Sequence, residues 1–298
     1  MSYTNVDPLY KYGHMRICRR PLHINKHVHK KTTNAVLHFH NAYELLLVES
    51  GNYKVHCPDC IYEGSGPFIV IFKLGSYHGM IRENCETVPY RFYVANFHQS
   101  VLDMMPNHPI CTEKCLEMGT TVIPIDAQQL SLFVPLMERL AVLSDGYTYE
   151  SSMPPLMSVY FMTVLGYIYE LIKEGKGIFF SSESDEQIYI SKVIEKAIVA
   201  VEQGETVSVT KLADMFHVSV TKLSKDFKKI TDMPIKNMID ALRLERAKKL
   251  LTNGLSSGEV AEKCGFSSTN YFIQFFNRHT NMSPGAYRQL KREANVKK

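Results

Sequence analysis

The chain has 298 residues, 45% hydrophobic and 21% charged, with a formal net charge of +4 and seven cysteines. That length suits two domains of ordinary size and that composition a soluble globular protein. An odd number of scattered cysteines favours free thiols over a disulfide framework.

The N-terminal stretch MSYTNVDPLYKYGHM lacks the apolar core of a signal peptide. The most apolar run, Leu156 to Leu171, is interrupted by Ser158, Thr163, Gly166 and Glu170. It reads as too short and too polar for a bilayer span, so a cytoplasmic protein with no membrane partner is expected. Charge is unevenly divided: residues 185–298 hold 19 Lys/Arg against 13 Asp/Glu, and residues 1–184 hold 15 against 17. The C-terminal third is the part suited to a polyanion.

Residues 1–125 read as β. Val36 to His40, Tyr53 to Cys57, Phe68 to Phe72 and Arg91 to Ala95 alternate or form short apolar runs. Ser50-Gly51-Asn52, Pro58-Asp59 and Gly64-Ser65-Gly66-Pro67 separate them as turns. Many short strands of this kind predict a sandwich or barrel.

The period turns helical over residues 126–184. Leu132, Leu136, Leu140 and Leu143 form one stripe, with Pro135 expected to bend or restart the helix. A second helix opens at Pro154-Pro155, where Val159, Met162, Tyr167 and Leu171 belong to a broad apolar surface. Such a helix is buried on more than one side, either in a core or in a homodimer seam. Gly175 to Asp185 reads as a linker.

Residues 185–298 form an all-α region. Ile188 to Val201 mark an amphipathic helix ending near Gly204, and a helix-turn-helix pattern then occurs twice. Leu212-Ala213-Asp214 and His217-Val218-Ser219 reappear as Val260-Ala261-Glu262 and Gly265-Phe266-Ser267, and Phe227 to Pro234 is echoed by Phe276 to Ser283. The offset is 48 residues in the first part and 49 in the second. His217 and Gly265 take the turn positions, where positive φ is easiest for glycine. Ser219 can cap a second helix running to about Thr231. Between the copies, Pro234 to Thr252 reads as one helix about 28 Å long at 1.5 Å per residue. Successive major-groove faces of B-DNA lie roughly 34 Å apart, so such a helix can serve two adjacent grooves.

Leu223 and Phe227, and Phe272 and Phe276, face inward at i, i+4 spacing. Thr221, Ser224 and Lys225, and Thr269, Asn270, Ile273 and Gln274, then point outward near the start of each second helix, where side chains reach base edges. Asn and Gln can bond adenine bidentately, and Ile273 can meet a thymine methyl. Lys228, Lys229 and Arg278 are placed for phosphates.

Arg243 to Leu251, Val260 to Phe266, Tyr271-Phe272, Phe275-Phe276, Thr280, Ser283-Pro284 and Tyr287-Arg288 closely resemble the AraC/XylS family of bacterial transcription regulators over about residues 190–292. The resemblance implies a non-enzymatic, effector-responsive regulator, more an activator than a repressor. Its expected partners are double-stranded DNA, a small-molecule effector, a second copy of itself and RNA polymerase.

In the β region, His38, His40, Glu44 and Gly51, followed by Gly75 and His78, are similar to the two cupin motifs. Thr32 replaces the usual first glycine and Lys73 the usual proline. In metal-binding cupins such residues converge on one ion, and three imidazoles with a carboxylate suit Zn, Fe, Mn or Ni. In AraC/XylS regulators a remnant of the motif often stands in a domain that takes a small organic effector. The expectation is a cupin-like barrel with His38, His40, Glu44 and His78 as effector residues, no cofactor, and a sugar as the first guess. The same four are the candidates should a metal be held. Two alternatives accompany this reading. One is a metal-dependent cupin enzyme tethered to DNA. The other is a thiol-based redox sensor or Cys₄ zinc site using Cys57 and Cys60 with Cys111 and Cys115.

The expected architecture is therefore α+β: a cupin-like effector-sensing domain at 1–125, a helical dimerisation segment and linker at 126–184, and a DNA-binding domain with two helix-turn-helix units at 185–298.

Overall fold

The computed structural model describes residues 15–16, 18, 20–29, 38–57, 60–83, 89–113, 115–117, 119–146, 153–180 and 185–296. They fall into two compact units, Met1–Ser191 and Lys192–Lys298.

The first unit carries the strands: β1 (Met15–Arg16), β2 (Leu22–His29), β3 (Phe39–His40), β4 (Tyr43–Ser50), β5 (Asn52–Cys57), β6 (Cys60–Ser65), β7 (Phe68–Phe72), β8 (Gly79–Glu83), β9 (Tyr90–Phe97), β10 (Thr120–Pro124) and β11 (Ile178–Phe180). Six form an antiparallel sheet in the order β11-β10-β7-β4-β9-β2, three a second sheet β6-β5-β8, and β1 pairs with β3. Leu46 and Val48, Phe68, Val70 and Phe72, and Tyr90 and Phe92 of the larger sheet share one core with Tyr53, Val55 and Met80 of the smaller. The two sheets therefore pack face to face.

Four helices follow within this unit: α1 (Gln99–Leu102), α2 (Pro109–Thr112), α3 (Ala127–Asp145) and α4 (Pro155–Lys173). They cover the outer face of the larger sheet. Helix α3 packs on β2 and α4, and Phe97 of β9 meets Phe161 of α4 with ring centroids 4.9 Å apart. Both faces of β4 are thus covered, which is why its Tyr43 to Val48 segment is buried throughout instead of alternating.

Three local expectations change. The restart at Pro135 does not occur, because α3 runs through it. Pro135 and Ser131, whose carbonyl loses its helical donor, are both exposed, so water can serve that acceptor. The buried stripe of α3 is Phe133, Met137, Leu140 and Ser144; Leu132 is exposed. The Gly175 to Asp185 stretch contains a strand, β11, paired with β10. Its apolar Ile178 to Phe180 was readable as a strand but is shorter than the usual run.

The second unit is helical: most of α5 (Asp185–Gln203), then α6 (Val209–Met215), α7 (Val220–Thr231), α8 (Ile235–Thr252), α9 (Ser257–Lys263), α10 (Thr269–Thr280) and α11 (Pro284–Val296). Val193, Ile194, Ala197, Ile198 and Val201 of α5 are buried, as its period predicts. Phe266, Phe272, Phe275 and Phe276 form a core with Leu244, Ala247 and Leu251 of α8.

Candidate nucleic-acid interface and buried histidine cluster

Each repeat folds as helix, turn, helix: α6–α7 and α9–α10. His217 and Gly265 occupy the turns at φ +54° and +67°. The Ser219 hydroxyl caps α7 by accepting from the Lys222 N–H at 3.1 Å, and Ser268 caps α10 by accepting from Tyr271 at 3.1 Å. The offset of 48 between His217 and Gly265 becomes 49 between the caps Ser219 and Ser268. Both second helices end at a left-handed residue, Asp232 and Asn281.

Helix α8 ties the copies together. The Arg243 guanidinium donates to the Val207 carbonyl at 2.6 Å, ahead of the first copy, and lies 5.5 Å from the Phe266 ring of the second. Arg246 donates to the Lys263 carbonyl at 3.0 Å, at the end of α9. Both fall in the Arg243 to Leu251 segment that carries the family resemblance, where the sequence alone gives them no structural role.

Leu223, Phe227, Phe272 and Phe276 are fully buried, which turns the opposite faces of α7 and α10 outward. Thr221, Lys225, Lys228 and Lys229 on α7 are exposed, as are Thr269, Asn270, Gln274 and Arg278 on α10. Ser224 and Ile273 are half-buried, and Ile273 packs against the aromatic core of its unit. Its reach toward a base is therefore shorter than the periodicity suggests. Two further exposed apolar groups, Val220 and Tyr271, stand beside the outward row. Lys222 is held by Asp226, with Nζ 2.6 Å from Oδ2, a buried carboxylate that anchors it to its own helix.

In the first unit the four motif residues do converge. His38, His40, Glu44 and His78 are all buried, and their ligand atoms lie within 4.8 Å of one another. Strand parity places Glu44 on the same face as Leu46 and Val48, between the sheets. A pair of backbone hydrogen bonds, His38 N–H to His78 O and His78 N–H to His38 O, both 2.8 Å, joins the two motifs. His40 Nε2 is 2.8 Å and His78 Nε2 3.8 Å from the Glu44 carboxylate. Asn96 on β9 donates to Glu44 Oε2 at 2.9 Å.

The His78 ring lies flat on Phe72, centroids 3.7 Å apart, and its Nδ1–H donates to the Ser76 carbonyl at 3.0 Å. A carbonyl oxygen only accepts, so Nδ1 carries a proton. Burial holds the His78 pKa below the ordinary histidine value despite the nearby carboxylate. Burial works to raise the Glu44 pKa, but the His40 and His78 imidazoles outweigh it and hold the carboxyl ionised, well below its ordinary value.

Cys57 and Cys60 are cross-strand partners at the end of the β5–β6 hairpin, but their side chains lie outside the described residues. Cys111 is half-buried and Cys115 buried, and burial raises both thiols above their ordinary value, which disfavours the reactive thiolate. Among the described residues, the group of His, Cys, Asp or Glu side chains close enough to share an ion contains no cysteine.

Two linked helix-turn-helix units with outward-facing recognition helices define a DNA-binding protein. A helix-turn-helix domain family matches residues 212–290. An uncharacterised HTH-type transcriptional regulator of Pseudoalteromonas carrageenovora is 35% identical over 119 residues, 38% of this chain and 69% of its own. The Msm operon regulatory protein of Streptococcus mutans is 30% identical over 141 residues, 45% of this chain and 50% of its own. The HTH-type transcriptional activator RhaR of Pectobacterium atrosepticum is 39% identical over 77 residues, 26% of this chain and 27% of its own. The chain thus spans half or less of the length of the latter two. The chain belongs to the AraC family of HTH-type transcription regulators. That family consists of regulators, not enzymes, which sets aside the tethered-enzyme alternative.

Proposed function

We propose that this chain is a sequence-specific, effector-responsive transcription activator that binds double-stranded DNA as a homodimer in the cytoplasm. The observation that carries the reading is the pair of helix-turn-helix units held on one helix, α8, with different exposed residues on α7 and α10. Eighteen residues of α8 span about 27 Å at 1.5 Å per residue, close to the roughly 34 Å between major-groove faces. Thr221, Ser224 and Lys225 read one half-site, and Thr269, Asn270, Ile273 and Gln274 the other. Lys228, Lys229 and Arg278 hold phosphates. Because the two sets differ, each protomer takes a non-palindromic direct element.

The activator assignment follows the name of the RhaR relative, and an activator needs RNA polymerase as a partner. Helix α4 supports the homodimer. Its Met157, Phe161, Val164, Leu165 and Ile168 face is buried, yet Leu156, Val159, Met162 and Tyr167 form a second, exposed apolar face. Its mean hydropathy of 1.4 over an 18-residue window would suit a membrane span, but a helix with one face in a folded core is better served by a second copy on the other. The sensing function is assigned to the β-rich unit and the cluster of His38, His40, Glu44 and His78. Effector binding acts by favouring one protomer arrangement over another.

The direct test is selection of DNA by the full-length protein from a random library. A recurring two-part site supports the reading, and recovery of unrelated sequences contradicts it.

A further inference from the structure

The two recognition helices repeat each other residue by residue. From Lys222 to Ile230 of α7 and from Tyr271 to His279 of α10, exposed, buried and half-buried positions follow in the same order. Lys222 and Tyr271 open the two series, and each is the residue whose N–H donates to the cap serine of its helix. Counting from there, Lys222, Lys225 and Lys229 are exposed at i, i+3, i+7, as are Tyr271, Gln274 and Arg278. At that spacing three side chains share one stripe of a helix. The stripe of α10 therefore begins one turn ahead of Gln274, at Tyr271. That of α7 begins one turn ahead of Lys225, at Lys222.

The position four residues further on is buried in both helices, and its chemistry matches the side chain that opens the stripe. In α7 it is Asp226, whose Oδ2 lies 2.6 Å from Lys222 Nζ. In α10 it is Phe275, which packs on Phe266 with centroids 4.9 Å apart, and Phe266 in turn meets the Tyr271 ring edge-to-face at 5.9 Å. A carboxylate supports the lysine and an aromatic pair supports the tyrosine. Neither side chain is covered by this: the Lys222 side chain is 58% exposed and Tyr271 46%. A polar group on the outward stripe, in the first turn of a recognition helix and held from beneath, suits an oxygen on the wall of the groove that the helix enters.

We propose that Lys222 and Tyr271 are equivalent phosphate contacts, one for each half-site, in which the Lys222 ammonium and the Tyr271 hydroxyl each donate to a phosphate oxygen. This rests on the DNA-binding reading above and adds two positioning residues to it. The ammonium has three donors, so one stays on Asp226 while another serves the phosphate. The two copies then hold their grooves by different physics. The lysine brings a charge and releases a counterion from the DNA, whereas the tyrosine brings a hydrogen bond and releases none.

The test uses the full-length protein and the DNA it selects, with affinity measured by fluorescence anisotropy over a series of salt concentrations and the fold of each variant checked by urea unfolding. Tyr271→Phe removes one oxygen and keeps the ring on Phe266. It should weaken selected and random DNA alike, about 10-fold, with the salt slope unchanged. Lys222→Met combined with Asp226→Leu removes the ion pair together, so no buried carboxylate is orphaned and the net charge stays the same. It should also weaken both DNAs, and lower the salt slope by about 0.9. A single neutral methylphosphonate at the contacted phosphate should weaken the wild type but not Tyr271→Phe, and one in the other half-site should do the same for the double variant. Wild-type affinity in Tyr271→Phe, or a response to every methylphosphonate equal to that of the wild type, overturns the Tyr271 contact. Unchanged affinity and slope in the double variant overturn the Lys222 contact, because the ion pair is then closed on itself in the complex. A wild-type protein that selects no DNA removes the underlying reading and this proposal with it, whereas selected DNA bound equally well by all the variants removes this proposal alone.

Discussion

Gly265 and His217 hold equivalent turns at positive φ, but their surroundings differ. A Cβ at Gly265 would lie 3.0 Å from Thr206 Cα and 3.2 Å from the Glu205 carbonyl, both backbone atoms that cannot move aside cheaply. Left-handed backbone alone costs an ordinary residue about 1–2 kcal/mol. Gly265→Ala is expected to destabilise the full-length protein by at least that amount in urea unfolding, whereas His217→Gly changes stability by less than about 1 kcal/mol. At the recognition helices, Gln274→Ala should cost about 1–3 kcal/mol of discrimination between bound and random DNA. Lys228→Ala should weaken all sequences alike and lower the salt dependence by about one ion. Equal losses on both DNAs in gel-shift titrations would contradict that division. In the first unit, His23 has its pKa lowered to about 4, mainly by burial and then by Arg20 and His27. The unfolded chain takes up this proton near 6.5 and the folded one does not, so stability should fall as pH drops from about 6.5 toward 4. His23→Gln should flatten that part of a stability–pH curve.

Helix α4 shows what periodicity reveals and what it leaves out. Its sequence is apolar on most sides, and that alone states that more than one side is covered. Which side faces the sheet depends on Phe161 meeting Phe97, a contact between residues far apart in the chain that no local pattern encodes. The same applies to α3, where Phe133, Met137, Leu140 and Ser144 are buried and Leu132 is not. Ser144 is inside because its hydroxyl accepts from the Ile24 N–H at 3.1 Å, a partner on a distant strand. The helix-turn-helix units were legible to within a residue because caps, turns and i, i+4 aromatics are local signals. Val159→Glu combined with Met162→Glu would place two carboxylates on the exposed face of α4. The double variant is expected to fold with an unchanged unfolding midpoint and to sediment as a monomer; a dimer that survives both charges would contradict the seam.

At the scale of the whole molecule, the resemblance to the two cupin motifs pointed to the four residues of the cluster, and the fold brings them within 4.8 Å of one another. It could not supply Asn96 of β9 or Phe72 of β7, which touch Glu44 and His78 from the larger sheet. Nor does the sequence alone show that Arg243 and Arg246 bind both helix-turn-helix units to α8. The central claim is that one chain reads two adjacent segments of duplex through two different recognition helices. Hydroxyl-radical footprinting of the full-length protein on its selected DNA tests this most directly. The account predicts two protected patches per protomer, about one helical turn apart, with Gln274→Ala weakening one and Lys225→Ala the other. A single short patch per protomer, or equal loss of both patches in each variant, would contradict it.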